Sequence, residues 1–132
     1  MKFNPLIPEL YVSNFKKSLK FYRDIGFKIE YQRANPDFAF LSFQKSQIMI
    51  QQSEPDWITA ELKYPYGRGI NFQISVKKIE SIFDLLTQKK YSIKYPIEEN
   101  SYKKENKVLI CKEFLVMDPD GYLLRFSEDI EK

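Results

Sequence analysis

The feature that most constrains the fold of this chain is a weak internal repeat. When the sequence is shifted by 64 positions against itself, Val12 meets Val76 and Tyr31 meets Tyr95. Apolar residues coincide at several positions between these two pairs, although few residues are identical. A self-match at this period indicates two copies of one supersecondary unit.

Each copy predicts the same order of elements, which is one strand, one helix and three further strands. In the first copy, Ser13 or Asn14 fits the helix N-cap, and Gly26 fits the residue that ends the helix. In both copies, apolar residues recur at helical spacing within the predicted helix. These residues are Phe15, Leu19, Tyr22 and Ile25 in the first helix, and Ile79, Ile82, Phe83 and Leu86 in the second.

The predicted fold class is α+β, with two βαβββ modules in a single domain that spans residues 1–132. The modules cover residues 1–52 and 70–130. Residues 53–69 hold two prolines and two glycines, which is typical of a link between modules. Residues 100–107 are polar and charged, and we predict an exposed loop there.

The last two strands place a cation in an apolar setting. The sequence Asp118-Pro119-Asp120-Gly121 has proline second and glycine fourth, which predicts a type I turn that joins these strands as a hairpin. Arg125 lies in the middle of the strand that follows. A charge there needs solvent, an ion-pair partner or a ligand, and Glu9 on the first strand is the partner that we expect.

Side-chain alternation along the strands separates two faces of the predicted sheet. One face is apolar and packs under the helices. The other face collects Glu9, Tyr11, Met49, Gln51, Asn71, Gln73 and Arg125. Two interpretations stay open for it. It is solvated, as in many antiparallel sheets, or it lines a ligand groove, because a curled sheet has a concave side and mixed amides and aromatics suit such a groove.

Composition excludes several classes of function. The chain has no histidine, which rules out serine–histidine and cysteine–histidine catalysis and any metal site that needs imidazole. A net charge of +3 from 21 basic and 18 acidic residues is too balanced to favour nucleic acid. Cys111 is the single cysteine, so no intrachain disulfide forms and a reducing compartment is expected. The sequence shows neither a signal peptide nor a run of about 20 apolar residues, so we expect a cytoplasmic protein without membrane contact.

Three segments together resemble one protein family. They are SLKFYRDIGFKI early in the chain, GRGINFQISV in the middle and FLVMDPDGYLLRFSE near its end. With the two βαβββ modules, they are similar to the vicinal oxygen chelate superfamily of glyoxalase I, extradiol dioxygenases, and fosfomycin and bleomycin resistance proteins. The resemblance covers nearly the whole chain. It implies a curled, mixed sheet with the helices on its outer face.

The resemblance also implies where a metal would bind. Metalloenzymes of this superfamily take His or Glu ligands from the first and last strands of the two modules. Motif spacing puts those positions at Ile7, about Gln51, Asn71 and Arg125. Isoleucine has no donor atom, amides are weak neutral ligands and arginine is a fixed cation. We therefore expect no metal, no other cofactor and no metal-dependent reaction.

Within the superfamily, the chain is most similar to the bleomycin-resistance proteins, which bind a ligand without transforming it and form domain-swapped homodimers with grooves between subunits. The resemblance implies a small-molecule, antibiotic-like ligand, with aromatic compounds among the candidates. The net basic charge argues against bleomycin itself, which is cationic. The expected ligand-binding residues are Glu9, Tyr11, Phe38, Phe40, Met49, Gln51, Trp57, Tyr66, Asn71, Gln73, Tyr102 and Arg125, with Tyr64 as a further groove candidate.

Two other functions stay open at this stage. In a metal-independent isomerase or lyase, Glu9 would act as general base, Tyr11 as acid, and Arg125 would stabilise developing negative charge. In a structural or partner-binding dimer, the protein's own side chains would fill the groove.

Overall fold

The computed structural model describes residues 2–52 and 55–130. The chain divides into two compact units, Met1–Tyr66 and Gly67–Lys132, called the first and second unit below. The order strand, helix, three strands occurs once in each, which confirms the two predicted βαβββ modules. The predicted α+β class with mixed sheets is confirmed. The strands form two four-stranded mixed sheets, one in each unit.

The first unit has its strands in the spatial order β1-β4-β3-β2. Its elements are β1 (Glu9–Val12), α1 (Phe15–Ile25), β2 (Lys28–Arg33), β3 (Phe38–Phe43) and β4 (Ser46–Gln52), followed by a short 3-10 helix (Pro55–Trp57). The outer strand β1 runs parallel to β4, and the other neighbours are antiparallel.

The second unit repeats this arrangement, with the strand order β5-β8-β7-β6 and β5 parallel to β8. Its elements are β5 (Asn71–Ser75), α2 (Glu80–Gln88), β6 (Ser92–Lys104), β7 (Lys107–Met117) and β8 (Leu123–Asp129). In the described part of the chain, no helix has the length and apolar character needed to cross a membrane.

Local sequence signals explain where helix α1 begins and ends. The side chain of Asn14, one of the two predicted caps, accepts a hydrogen bond from the Lys17 backbone N–H at 3.1 Å. Gly26 ends the helix at φ 129°, a conformation that glycine adopts without steric cost. Between the caps, Tyr22 and Ile25 are buried, as the helical spacing predicts.

A second capping contact occurs in both units and follows the repeat. The backbone N–H of Phe15 donates to the side-chain oxygen of Gln52 at the end of β4, at 2.9 Å. The backbone N–H of Ile79, 64 positions after Phe15, donates to Glu128 Oε1 near the end of β8, also at 2.9 Å. Gln52 and Glu128 are therefore equivalent positions, separated by 76 residues.

We expect Glu128→Ala to destabilise the protein by about 1–2 kcal/mol, because the buried Glu128 carboxylate satisfies an N–H at the start of α2 and lies at the positive end of the helix dipole. Chemical denaturation of the variant and the wild type measures the difference. The control is Glu61→Ala, which removes an exposed carboxylate and is expected to stay within about 0.5 kcal/mol of wild type. Equal stability of the two variants would contradict the capping role.

The hairpins of the second unit give one confirmation and one correction. The Gly121 N–H donates to the Asp118 carbonyl at 2.9 Å, which confirms the predicted turn between β7 and β8. The prediction of a loop at 100–107 was wrong. Strands β6 and β7 continue through this segment and pair from Ser92–Met117 out to Lys104–Lys107. Polar composition was misleading here, because an exposed hairpin can carry polar residues on both faces.

Candidate functional site

The polar face of the second sheet is built around Arg125. In the strand register, Arg125 on β8 lies between Gln73 on β5 and Leu115 on β7. The predicted alternation on β5 is confirmed, since Asn71, Gln73 and Ser75 are exposed and Ile74 is buried. Gln73 and Arg125, both predicted ligand-binding residues, are therefore cross-strand neighbours on one face.

A buried carboxylate, Glu113, organises this face. Glu113 lies on β7 and is only 2% exposed. Its Oε1 accepts a hydrogen bond from the Asn100 side chain at 3.0 Å and another from the Tyr102 hydroxyl. Its Oε2 lies 3.4 Å from Nη1 of Arg125. Three donors, one of which is the cation Arg125, thus compensate the burial of this carboxylate.

The predicted partner of Arg125 was wrong. We expected Glu9, on the premise that the first strand lies beside the last. Strand β8 instead lies between β5 and β7, and Glu9 is on β1 in the other sheet, next to β4. The ion pair of Arg125 is with Glu113.

The electrostatics of this face hold two of its groups in their protonated forms. The hydrogen bond to Glu113 and burial raise the pKa of Tyr102, because ionising the phenol would place a second negative charge beside the carboxylate. Burial raises the pKa of the Cys111 thiol, which lies in register with Asn100 on β6. Cys111 is therefore a poor nucleophile at neutral pH.

The hydrogen bond from Tyr102 predicts a pH-dependent stability. At neutral pH, Tyr102→Phe is expected to cost about 1 kcal/mol, because Glu113 loses a donor. Above about pH 10, the ordinary tyrosine pKa, Tyr102 ionises in the unfolded chain before it does so in the folded one, so wild-type stability falls. The difference in the free energy of unfolding between wild type and Tyr102→Phe should therefore shrink as pH rises through that range.

Urea denaturation at neutral and alkaline pH measures this difference. The control is Tyr95→Phe, which changes an exposed tyrosine on the same strand and is expected to cost less than about 0.5 kcal/mol at neutral pH. If the stability difference between wild type and Tyr102→Phe grew with pH, the hydrogen bond from Tyr102 to Glu113 would be contradicted.

The first sheet brings six of the predicted residues together in two cross-strand rows. One row is formed by Glu9, Met49 and Phe40, and the other by Tyr11, Gln51 and Phe38. Burial, followed by the charge of Glu9, raises the pKa of Tyr11. A phenol with a raised pKa is a weaker general acid at neutral pH than a free tyrosine.

The aromatic candidates differ strongly in exposure. Phe38 and Phe40 are each 1% exposed, and the Tyr31 ring stacks on Phe40 with 5.4 Å between ring centroids. Trp57 is 82% exposed, Tyr64 is exposed and Tyr66 is half-buried. Phe38 and Phe40 thus occupy core positions, whereas Trp57 and Tyr64 present their rings to solvent.

The strand register corrects one position at which the resemblance implies a metal ligand. Met49 lies opposite Glu9 as Arg125 lies opposite Gln73, and Gln73 follows Glu9 by the 64 positions of the repeat. The equivalent of Arg125 in the first unit is therefore Met49 and not Gln51. These two residues, Met49 and Arg125, are 76 positions apart, and so are the equivalent residues Gln52 and Glu128.

The residues at these positions do not fit a divalent metal. Ile7 offers no donor, Asn71 offers a neutral amide, Met49 a thioether and Arg125 a fixed cation. Among the described residues, no group of three or more His, Cys, Asp or Glu side chains is arranged to hold a metal ion. The donor chemistry thus gives no basis for a metal-assisted step.

Two residues of the site, Glu113 and Asn100, were missed by sequence reasoning. The available signal for Glu113 was its position two residues before Leu115 on the face opposite Phe114 and Val116, which makes it an acid inside an apolar strand. Asn100 fell in the segment that was predicted as a loop, so no face was assigned to it.

Comparisons with known proteins agree with this architecture. TioX from Micromonospora sp. ML1 has a TM-score of 0.73 at 16% identity, covering 97% of this chain and 100% of that one. A glyoxalase/bleomycin resistance protein/dioxygenase from Alicyclobacillus acidocaldarius has a TM-score of 0.66 at 17% identity, covering 97% and 92%. An integron cassette protein from the mobile metagenome of V. cholerae has a TM-score of 0.66 at 18% identity, covering 97% of each chain. At these identities the likeness shows the fold alone.

The sequence itself carries the family assignment. No curated protein matches the chain. The family described as the Glyoxalase/Bleomycin resistance protein/Dioxygenase superfamily matches residues 3–126. This chain belongs to the glyoxalase/bleomycin resistance protein/dioxygenase superfamily.

Proposed function

We propose that this protein binds and sequesters a small organic molecule without a metal ion, in the manner of the bleomycin-resistance proteins. The observation that carries the proposal is the polar cluster of Arg125, Glu113, Tyr102 and Asn100 on one face of the second sheet. Few convergent polar groups on a partly apolar face are typical of small-molecule sites. We place the protein in the cytoplasm and its role in protection against an antibiotic-like compound.

The donor chemistry supports a binding role over the metal-dependent reactions of the superfamily. A cation at position 125 repels a divalent metal, and the thioether of Met49 is a poor ligand for the hard metals that prefer oxygen. Arg125 does, however, supply a permanent positive charge, and its guanidinium group can donate hydrogen bonds to a negative or polar group of a ligand.

The charge of the protein favours neutral or anionic ligands over cationic ones. The chain carries a net charge of +3, so its long-range field does not attract a cationic glycopeptide. Exposed rings such as Trp57 and Tyr64 offer flat apolar surfaces to aromatic compounds. We therefore propose a neutral or anionic aromatic ligand, with bleomycin as a comparison compound.

Thermal-shift screening tests the proposal. The arms are bleomycin, other antibiotics, neutral aromatic metabolites, aromatic acids and, separately, Mg²⁺, Mn²⁺, Ni²⁺ and Zn²⁺. Binding to the folded state raises the melting temperature by mass action. We expect at least one organic compound to raise it and no metal ion to do so. A panel in which no organic compound shifts the transition would count against the proposal.

We also propose that the protein is a homodimer, as the resemblance implies. Strands β1, β2, β5 and β6 all lie at sheet edges within their units, and exposed edges are sites at which further strands pair. Light scattering coupled to size-exclusion chromatography measures the mass in solution. A dimer is expected, and a monomer at micromolar concentration would contradict the proposal.

A further inference from the structure

We propose that Arg125 and Gln73 form an anion subsite that binds the carboxylate of an aromatic ligand. This inference rests on the proposed function and deepens it, because it names the chemical group that the site recognises. Its basis is the arrangement of Arg125 and its neighbours Glu113, Gln73 and Leu115 on the polar face of the second sheet.

Glu113 pairs with a single nitrogen of Arg125, and Tyr102 also interacts with the guanidinium group. Both oxygens of Glu113 are engaged, Oε1 by Asn100 and Tyr102 and Oε2 by Arg125. The contact between Glu113 and Arg125 joins a single nitrogen, Nη1, to a single oxygen at 3.4 Å, which is long for a charge-assisted hydrogen bond. Nε of Arg125 is buried and has no hydrogen-bond partner among the described residues.

The guanidinium group of Arg125 is suited to binding a carboxylate. The guanidinium group presents parallel N–H donors that match a carboxylate in a bidentate geometry. A guanidinium that is already paired with a carboxylate also loses less conformational freedom on binding than an unpaired surface arginine. The side chain of Arg125 is 29% exposed, so part of it is open to a ligand.

Gln73 and Leu115 flank Arg125 and complete the subsite. Gln73 is the cross-strand neighbour of Arg125 on the edge strand β5, and its side chain is exposed. Leu115 on the opposite side is half-buried and gives an apolar neighbour for an aromatic ring. Glu98 and Asp129 also occur in the strands of this sheet, but both are exposed and are screened by solvent and salt.

The test compares three probes of similar shape. Benzoate carries a carboxylate, phenylphosphonate a tetrahedral anion and benzamide no charge. The side-chain Nε–Hε signal of Arg125 in a ¹H–¹⁵N spectrum, assigned by its absence from Arg125→Lys, reports on the subsite directly. We expect benzoate to move this signal and to bind at least about tenfold more tightly than benzamide, with phenylphosphonate between them.

Variants separate the subsite from the fold. Arg125→Lys keeps the charge and removes the bidentate geometry, and it is expected to weaken benzoate binding by about tenfold or more. Gln73→Leu changes an exposed edge-strand side chain, folds without loss of a buried contact, and is expected to weaken benzoate binding a few-fold. The matched control is Arg33→Lys on β2, where Arg33 is exposed and lies over the Phe38 ring, and benzoate binding should not change.

Each outcome decides between the two proposals. Equal benzoate binding by wild type and Arg125→Lys, or equal binding of benzoate and benzamide, would overturn the subsite and leave the proposed function intact. Absence of any benzoate effect on the Arg125 signal would overturn the subsite as well. The proposed function fails only when the wider panel of organic compounds also gives no shift. If Arg125→Lys does not fold, the comparison of benzoate with benzamide and the Gln73→Leu titration decide the question.

Discussion

Glu113→Ala is expected to destabilise the protein by about 2–4 kcal/mol, because it removes the buried acceptor of three donors and the counter-ion of a partly exposed arginine. The substitution leaves Arg125 without its counter-ion and removes the shared acceptor of Asn100 and Tyr102. Glu113 is 2% exposed, but Arg125 and Tyr102 keep part of their side chains exposed, so water recovers some of the lost hydrogen bonding. Chemical denaturation gives the free energy of unfolding for variant and wild type.

Two further variants resolve the origin of this effect. Glu113→Gln keeps a neutral oxygen for the donors but loses the charge, so its loss should be smaller than that of Glu113→Ala. Glu98→Ala is the matched control, because Glu98 lies opposite Glu113 on β6 and is exposed, and its effect should stay within about 0.5 kcal/mol. If Glu113→Ala were as stable as Glu98→Ala, Glu113 would not be the centre of the cluster.

Phe114→Ala is expected to cost about 3–5 kcal/mol for a different reason, the loss of packing in the second unit. Phe114 is the next residue along β7 and points to the opposite face of the sheet from Glu113. It is fully buried, stacks on Phe126 at 5.2 Å between ring centroids, and meets the edge of Phe83 from α2 at 5.3 Å. Removing the ring leaves a cavity between sheet and helix.

Phe114→Leu should cost less than Phe114→Ala, because leucine fills part of the cavity. The control is Leu109→Ala, which shortens an exposed apolar side chain on the same strand and is expected to cost less than about 1 kcal/mol. A loss for Phe114→Ala no larger than that for Leu109→Ala would show that α2 does not pack on this ring. Ligand binding should survive in Phe114→Leu, since Phe114 lies on the helix-covered face.

The module order was predictable because it depends on local patterns that the repeat doubles. Helical spacing at Tyr22 and Ile25, a capping asparagine at 14 and a glycine at 26 all act within a few residues of each other. The hairpin turn at 118–121 is equally local. Each of these signals constrains the backbone by itself, so a single sequence was sufficient to predict the order of strands and helices.

The partners across strands were not predictable from the same signals. Alternation assigns a residue to a face but gives neither the neighbouring strand nor the register. For this reason Arg125 was paired with Glu9 in the prediction, whereas β7 brings Glu113 to it. The equivalence of Met49 and Arg125 likewise needed the parallel register of β1 with β4 and β5 with β8.

The measurement that tests the central claim most directly is a calorimetric titration of one organic ligand, chosen as the compound with the largest thermal shift, into protein treated with a chelator. The same titration is then repeated with Mn²⁺, Ni²⁺ or Zn²⁺ added. Because Arg125, Met49, Asn71 and Ile7 offer no suitable ligand set for a metal, we predict the same dissociation constant in all cases. Binding that is lost with the chelator and restored by a metal ion would contradict the account of a metal-free site.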